Sequence, residues 1–462
     1  MARMRNEALA ARIAEAGWTQ PKAAAAVRRV AEESGARELT AVSRSHIAMW
    51  ITGTHPSGQA PHILCETLTR KLGRPITLTD IGLSADRKGE STDGTDWDAD
   101  TLTALTELGR DDLDMLHRRQ VLADAAYSVA GLAVPAPSWW KDAPAAAANQ
   151  RVHSRRSVTP ADVDDIRQTT VFFSARDQRR GGAAGRSALA AHLSLEAAPL
   201  LSSRIPTEQL RRELYSATAE MTYLAGWMAF DAGEHRRAQR YFTLAAKLAA
   251  EAADGPLAGH ILRAMAHQAV DLNHPGQALD LADASMATDR YGQASWRERA
   301  LLGIVHARAL AATGDRRGTL AAISRAERDL ARDTGDAPDR VSFFARASLS
   351  HETACALRDL GNLRDAEHHF QESVATRRRQ LYARTHSVTL GYLGSVQIRR
   401  GGLDEGCSTY SQALDAMNGI SSGRAKDVIV QMQRDLSPVR RRGGRHVAEL
   451  DRRAREMLGT IG

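Results

Sequence analysis

The sequence predicts an all-α protein in which a small N-terminal domain is followed by a long array of helical pairs. Aromatic residues make up only 5% of the chain, and β-branched residues are sparse beside Ala and Arg, a composition that favours helix over sheet. In the second half, small residues and turn residues recur at similar intervals, as helices joined by tight turns require. The 462 residues are enough for two or three domains, each with its own core.

Charge and cysteine content narrow the class of protein. The net charge of +7 is compatible with a nucleic-acid partner without establishing one. The three cysteines are far apart and form no disulfide or zinc pattern, which suits a reducing cytoplasm. They are Cys65, Cys355 and Cys407. No apolar run approaches the roughly 18 residues of a membrane span. We therefore expect a cytoplasmic protein with no membrane contact.

Sequence motifs of catalysis are missing. The chain contains no nucleophile elbow, no HExxH pattern and no paired catalytic carboxylates, and its histidines match no zinc spacing. We therefore predict that the protein is not an enzyme and that it uses no cofactor and no metal.

Residues 1–83 predict a compact helical domain. A first helix runs from about Arg3 to Ala16, and Thr19 is placed to cap a second helix, TQPKAAAAVRRVAEE. A third helix is expected in VSRSHIAMWITG, with Ser43 as its N-cap. The helix PHILCETLTRKLG and the segment PITLTDIGL complete the domain.

These motifs resemble a known DNA-binding domain. A TQ pair opening a helix, an SxSHIxxWxxG helix and a Pro-led helix ending in Leu-Gly are similar to the lambda-repressor-like, XRE-type helix-turn-helix domain. The segment PITLTDIGL resembles the version in actinobacterial transcription regulators that join this domain to tetratricopeptide repeats. The resemblance implies binding of double-stranded operator DNA by a homodimer, because paired half-sites match a two-fold protein.

The resemblance also assigns DNA-contacting residues. The N-terminal end of the Ser43–Trp50 helix is expected to read base edges, while the start of the preceding helix holds phosphates. The expected base-reading residues are Ser43, Arg44, Ser45, His46 and Met49, and the expected phosphate contacts are Thr19, Gln20 and Lys22. Ile47 and Trp50 are expected in the core. Residues 1–83 carry 11 Lys/Arg and 7 Asp/Glu, a modest positive balance.

Residues 84–150 predict a linker that contains a helical segment. Residues 84–100 are polar and rich in Gly, Ser and Asp, as in a solvated linker. Helical periodicity runs from Leu102 to Ala133, and prolines then interrupt it. The Ala/Pro stretch 134–150 is therefore predicted to be a second flexible joint.

Residues 151–417 predict a helical-repeat sensor domain. Two helices, 160–175 and 186–201, precede five repeats whose turn residues lie at similar spacing. The turns are expected at Gly233, Asn273, Gly314, Gly361 and Gly401. Small residues follow at Ala238, Ala278, Thr319, Ala366 and Gly406, at intervals of 40, 41, 47 and 40 residues. The pattern is similar to the tetratricopeptide repeat, although that repeat has about 34 residues, and it predicts a stacked solenoid. Basic helices in 418–462 are expected to cap the array.

The same resemblance places a ligand groove on the concave face of the repeats. The positions carried over are Tyr223, Trp227, His260, Arg263, His267, Arg308, His351, Arg358 and Arg399, with Glu220 and Arg400 nearby. A groove rich in His and Arg favours a small anionic ligand or a peptide with a carboxylate end. Peptide receptors of this class often clamp the peptide backbone with asparagines. The matching positions here are Leu224, Ala264, Val305, Glu352 and Tyr392, which argues against a peptide.

Together these features predict a sequence-specific DNA-binding transcription regulator of repressor type. Its repeats are expected to mediate dimerisation and to sense a ligand or partner. The alternative is a tetratricopeptide adaptor or scaffold that binds a protein partner and no DNA. The long connection after Glu33 and the modest charge of residues 1–83 keep this alternative open.

Overall fold

The computed structural model confirms the all-α fold. Regular structure in its described part is helical apart from one bridge between Ser157 and Arg204. The structure describes residues 5–33, 36–72, 76, 78–83, 97, 100–117, 127–129, 132–148, 156–439 and 444–460. Most of the predicted linker 84–100 lies outside these residues.

The N-terminal domain has its own apolar core. Its helices are α1 (Glu7–Glu15), α2 (Gln20–Glu33), α3 (Arg44–Ile51) and α4 (Ala60–Leu72). Ile47 and Trp50 lie in the core, as predicted. The first helix begins at Glu7, because Asn6 accepts a hydrogen bond from the Leu9 amide at 2.9 Å and caps it. The predicted start at Arg3 lies outside the described residues.

Two predictions for residues 102–150 are wrong. The helix α5 (Thr101–His117) does not continue to Ala133, because residues 127–129 are not helical. The amide of Val129 donates to the Glu66 carboxylate at 2.9 Å, and that of Ser128 donates to Gln239 at 2.9 Å. The predicted joint 134–150 contains a helix, α6 (Pro137–Ala148). This helix packs against the repeats, which holds it together despite its internal proline.

A long helix, α7 (Pro160–Arg180), comes before the repeats. Thr159 caps its start, and Gly181 ends it five residues later than predicted, at a φ of 91°. A Cβ at Gly181 would lie 2.2 Å from the Ser421 carbonyl oxygen, so only glycine fits there. The next helix is continuous from α8 (Arg186–His192) through a π-helical turn at Leu193–Ala197 to α9 (Ala198–Leu201).

Five antiparallel helical pairs follow, as predicted. They are α10 (Glu208–Asp231) with α11 (His235–Glu251), α12 (Gly255–Asp271) with α13 (Pro275–Ser285), then, after the short α14 (Thr288–Gln293), α15 (Trp296–Thr313) with α16 (Arg316–Ala331), α17 (Arg346–Asp359) with α18 (Leu363–Thr376), and α19 (Ala383–Arg399) with α20 (Leu403–Ala416). All five predicted turn residues have positive φ, and the five small residues are buried.

Close helix contacts inside the pairs explain two glycines. A Cβ at Gly226 would lie 2.8 Å from Phe242 Cδ1, and a Cβ at Gly394 would lie 2.7 Å from Tyr410 Cδ1. These glycines occupy corresponding places in the first and fifth pairs. The aromatic ring therefore fills the space that a larger residue on the first helix would need.

The array closes on itself. The helix α21 (Gly423–Leu436) packs on α19, and α22 (Gly444–Thr460) packs on α20 and α21. The helix α7 contacts both α10 and α19, the first helices of the first and fifth pairs. The Ser421 amide donates to the Arg180 carbonyl at 2.7 Å. The concave side of the repeats is therefore enclosed by α7.

Candidate binding cavity on the concave side

Two adjoining cavities lie beneath α7. The deeper one, here called the inner chamber, has a volume of about 80 Å³. Its polar walls are Ser174, Asp177, Gln178, Tyr223, Trp227, Arg263, His267, Arg340, Ser348, His351, Glu352, Arg377, Tyr382, Arg384, Thr385 and Arg424. Leu224, Leu301, Val305, Phe343 and Phe344 supply apolar walls. The chamber thus draws on α7, all the first helices of the repeats and α21.

The second cavity, here called the outer cavity, is larger and more apolar. Its volume is about 320 Å³. It shares Tyr223, Arg340 and Tyr382 with the inner chamber, and Val171 and Leu381 line it. Both of these side chains are 48% exposed, so they lie at its mouth. A ligand would reach the inner chamber through this cavity.

Two arginines of the inner chamber are held by pairs of carboxylates. Arg340 lies 2.9 Å from Glu220 Oε1 and 2.6 Å from Glu298 Oε1. Arg340 precedes the fourth pair, in the insertion that lengthens the third interval to 47 residues. Its two partners belong to the first and third pairs, so this guanidinium joins distant repeats.

Arg384 joins the first repeat, the fifth repeat and α7. Its Nη1 lies 3.0 Å from Asp231 Oδ1 and its Nη2 lies 3.1 Å from Asp177 Oδ2. All three side chains are at most 3% exposed. Burial raises the pKa of Asp177 to about 6, although Arg384 opposes the shift. The Asp231 carboxylate also accepts a hydrogen bond from Ser422 Oγ at 3.0 Å, so it is fully used in this cluster.

A third cluster joins residues of the chamber wall to Arg308 and Asp271 behind it. Arg308 lies 3.0 Å from Asp271 Oδ1, 3.2 Å from Glu352 Oε2 and 3.0 Å from His267 Nε2. Burial alone raises the pKa of Asp271, but His267 and Arg308 hold it well below its usual value. Arg424 is 3.7 Å from the same Asp271 carboxylate. These charges compensate one another inside the protein.

Arg263 lines the chamber without such compensation. Its Nη2 donates to the Tyr223 hydroxyl at 3.0 Å and lies 3.1 Å from His260 Nε2. Burial lowers the pKa of His260 well below its usual value, so this imidazole is neutral. The guanidinium carbon is 5.7 Å from the Trp227 ring centroid. No carboxylate oxygen of the described residues lies within 4.0 Å of Arg263, and its buried Nε has no hydrogen-bond partner among them.

Arg377 is the second arginine that lines the inner chamber without a carboxylate partner among the described residues. Its Nη2 donates to the Ala347 carbonyl at 2.9 Å and to Ser373 Oγ at 3.0 Å. Burial lowers the pKa of Arg377 to about 10, and Glu352 partly opposes the shift. Within the described chain, no carboxylate oxygen lies within 4.0 Å of it, and its Nε is buried without a hydrogen-bond partner.

The structure divides the predicted ligand residues into three groups. Tyr223, Trp227, Arg263, His267 and His351 line the inner chamber. His260 and Arg308 lie behind its wall and hold other side chains. Arg358 and Arg399 instead line a separate open groove of about 680 Å³ between α17, α19 and α21, together with Arg434, Asp427 and Asp435. The predicted ligand residues therefore do not all line the same cavity.

Four arginines of the chamber were missing from the sequence prediction. They are Arg340, Arg377, Arg384 and Arg424. Each lies outside the concave positions that were carried over from the repeat pattern, either between repeats, at the start of a first helix or after the array. The 47-residue interval was the signal for the insertion that holds Arg340.

The predicted DNA-reading helix presents polar side chains to solvent. Arg44, Ser45 and His46 are exposed, and Met49 is 43% exposed. The amide of Ser43 donates to His46 Nδ1 at 3.2 Å, which caps α3. Of the predicted phosphate contacts, Thr19 and Lys22 are exposed and Gln20 is half-buried at the start of α2. The α2–α3 pair therefore offers one polar surface.

The N-terminal domain contacts the repeats on a different side. Glu66 on α4 accepts the Val129 amide and forms a salt bridge with Arg70 at 2.8 Å. The Tyr127 ring stacks on His274 with ring centroids 5.7 Å apart. The segment 127–129 thus links α4 to the first and second repeats and leaves α3 outside this contact.

The fold and these cavities define a helical-repeat protein with a separate N-terminal domain. A family model described as the SP15 N-terminal domain matches residues 9–84. Two solved structures are similar to the chain: nearly identical tetratricopeptide-like repeats of a kinesin light chain candidate from Podosopora anserina, and a single-substitution variant of them. Each has 15% identity and a TM-score of 0.33, and each match covers 44% of this chain and 95% or 94% of the other. No curated protein matches. The helix-turn-helix assignment stays a prediction.

In the described part of the chain, no helix is both long and apolar enough to span a bilayer. Nowhere among the described residues do three His, Cys, Asp or Glu side chains meet as a metal ion would need.

Proposed function

We propose that this protein is a scaffold whose helical repeats bind a protein partner over the mouth of the outer cavity. The main support for this proposal is the exposed apolar surface at the mouth of the outer cavity. Val171 and Leu381 are each 48% exposed there, and Phe172, next on α7, is 59% exposed. These are three of the six large apolar side chains that stay exposed in the described structure. Exposed apolar patches mark interaction sites on soluble proteins.

Partner capture with the full chain tests this proposal. The purified protein is used to recover and identify a partner from cells that express it, and binding is then measured with the identified partner. Val171→Glu and Leu381→Glu should each weaken binding by at least tenfold, because a charge at the mouth must be desolvated. Leu320→Glu is the matched control, since Leu320 is 44% exposed on α16, outside both cavities. Equal binding by all variants would contradict the proposal.

A second candidate function is binding of duplex DNA by the α2–α3 surface. It is supported by the solvent exposure of Arg44, Ser45 and His46 at the N-terminal end of α3, while Ile47 and Trp50 on the same helix are in the core. A helix so placed can enter a major groove with its polar end. With this activity, the protein would be a transcription regulator, as the sequence predicts, and binding as a homodimer remains part of the proposal.

Selection from random duplexes tests the second candidate. Enrichment of one sequence, in palindromic form for a dimer, is the expected result. Arg44→Ala should then cost about 1–3 kcal/mol in specific binding. Arg29→Ala is the matched control, because Arg29 is exposed on α2 but its charge acts on His274 of the repeats. Equal losses for both variants would indicate only non-specific charge attraction, and no enrichment would leave the scaffold as the function.

A further inference from the structure

The inner chamber holds two buried guanidinium groups that the described chain does not neutralise. Arg263 is 2% exposed and Arg377 is 7% exposed. A guanidinium stays charged at physiological pH, and a buried charge is unfavourable unless an opposite charge pairs with it. Arg340 and Arg384 show how this protein normally meets that requirement, with two carboxylates each.

The remaining contacts of the two groups compensate them only in part. The aromatic rings of Tyr223 and Trp227 attract the charge of Arg263 by cation–π contacts at 6.0 and 5.7 Å. Arg377 donates only to neutral oxygens. On each guanidinium, Nε is buried and without a partner among the described residues, although both line the same cavity. Both side chains therefore line one small space, and neither has a carboxylate partner among the described residues.

We propose that the inner chamber binds the carboxylate or phosphate group of a small organic anion. Arg263 and Arg377 would donate to its oxygens, as guanidinium groups do in charge-assisted hydrogen bonds. A volume of about 80 Å³ suits such a group, and the outer cavity of about 320 Å³ receives the rest of the molecule. The combined size falls in the range of small-molecule sites.

The carboxylates in the chamber wall do not oppose this assignment. Asp177 is held by Arg384 at 3.1 Å, and Glu352 is held by Arg308 at 3.2 Å. Each therefore already has a cationic partner of its own. The apolar walls of the outer cavity, Val171, Phe343 and Leu381 among them, indicate that the body of the anion is apolar.

This inference goes beyond the proposed scaffold, because the anion site lies deeper than the apolar mouth on which a partner would rest. The scaffold proposal and the anion-site proposal can be disproved independently. Substitution of the chamber arginines tests anion binding and leaves the apolar mouth unaltered, whereas partner capture without added anion tests the scaffold. A protein that captures its partner normally but binds no anion would overturn only the second proposal.

Calorimetric titration of the full chain tests the anion site. Inorganic phosphate and hexanoate are the probes, with sodium chloride at equal ionic strength as the blank. Saturable binding of at least one probe is expected, together with a rise in melting temperature that saturates with it. Binding of hexanoate alone assigns a carboxylate, and binding of phosphate alone assigns a phosphate. Failure of both probes to bind the unaltered protein would overturn the proposal.

Variants locate the site. Arg263→Met and Arg377→Met should each weaken binding of the probe by at least tenfold. Arg399→Met is the matched control, because Arg399 is exposed in the separate open groove, and it should leave binding unchanged. Arg377→Lys keeps the charge but loses the fork geometry, so it provides an intermediate case if the methionine variants fold poorly. Equal binding by the control and the chamber variants would overturn the assignment.

Discussion

The polar surface of α3 and the inner chamber carry similar side chains in opposite settings. On α3, the side chains Arg44, Ser45 and His46 come from one short stretch and reach solvent. In the chamber, Arg384 is buried and held by two carboxylates from other elements, one of them 207 residues away. An exposed charge is solvated by itself, whereas a buried charge depends on its partner. The chamber charges therefore support the fold as well as any ligand.

The largest expected effect on stability comes from removing the buried arginine Arg384. Arg384→Met would leave Asp177 and Asp231 buried without their partner, which should lower the free energy of unfolding by about 3–5 kcal/mol. Arg44→Met removes an exposed arginine and should change it by no more than about 0.5 kcal/mol. Urea denaturation of both variants measures the difference. Similar small losses would show that the buried cluster is dispensable.

A pair of glycine substitutions compares the packing of the repeats with that of the N-terminal domain. Gly226→Asn should cost about 3 kcal/mol or more, because even a Cβ there would lie 2.8 Å from Phe242 in the packed repeats. Gly17 in the N-terminal domain has a φ of 65° and open space around its Cα. Since asparagine tolerates this conformation, Gly17→Asn should cost less than about 1 kcal/mol. Thermal unfolding separates the two, and the reverse order would contradict the packing described here.

The smallest expected effect concerns pH. Burial raises the pKa of Glu251 in α11 to about 7, while a hydrogen bond from Thr101 at 2.5 Å opposes the shift. The folded state therefore favours the protonated carboxyl, and this stabilisation is lost as pH rises through 7. Glu251→Gln, which stays neutral, should be more stable than the unaltered protein by about 1–3 kcal/mol at pH 8, with a smaller difference at pH 5.

Unfolding free energies at both pH values measure this difference. Glu38→Gln is the matched control, because Glu38 is exposed on the N-terminal domain and its substitution removes no buried carboxylate. A Glu251→Gln variant that follows the unaltered protein at both pH values would show that this carboxylate is ionised at no cost in the fold.

Local sequence signals predicted the repeats but not the chamber. Turn residues such as Gly233 and Asn273 adopt positive φ in the structure, because a tight turn between helices needs that conformation wherever it occurs. The partners of Arg384 lie on α7 and α10, and they reach it only because the five repeats and α7 curve together. The residues next to Arg384 in the sequence do not predict that curvature. The exposed residues of α3 could be chosen from one helix, whereas Arg340 and Arg377 lie outside the repeat pattern.

The contact of α7 with both ends of the array has a consequence for the order in which the protein matures on the ribosome. Asp177 and Asp231 are synthesised 207 and 153 residues before Arg384, their common partner. Until Arg384 leaves the exit tunnel, bringing the two carboxylates together is unfavourable, because like charges repel and both lose water. The first repeats can stack during translation, but α7 can cover the cavities only after the fifth repeat has been synthesised. Anything enclosed there enters a nearly complete chain.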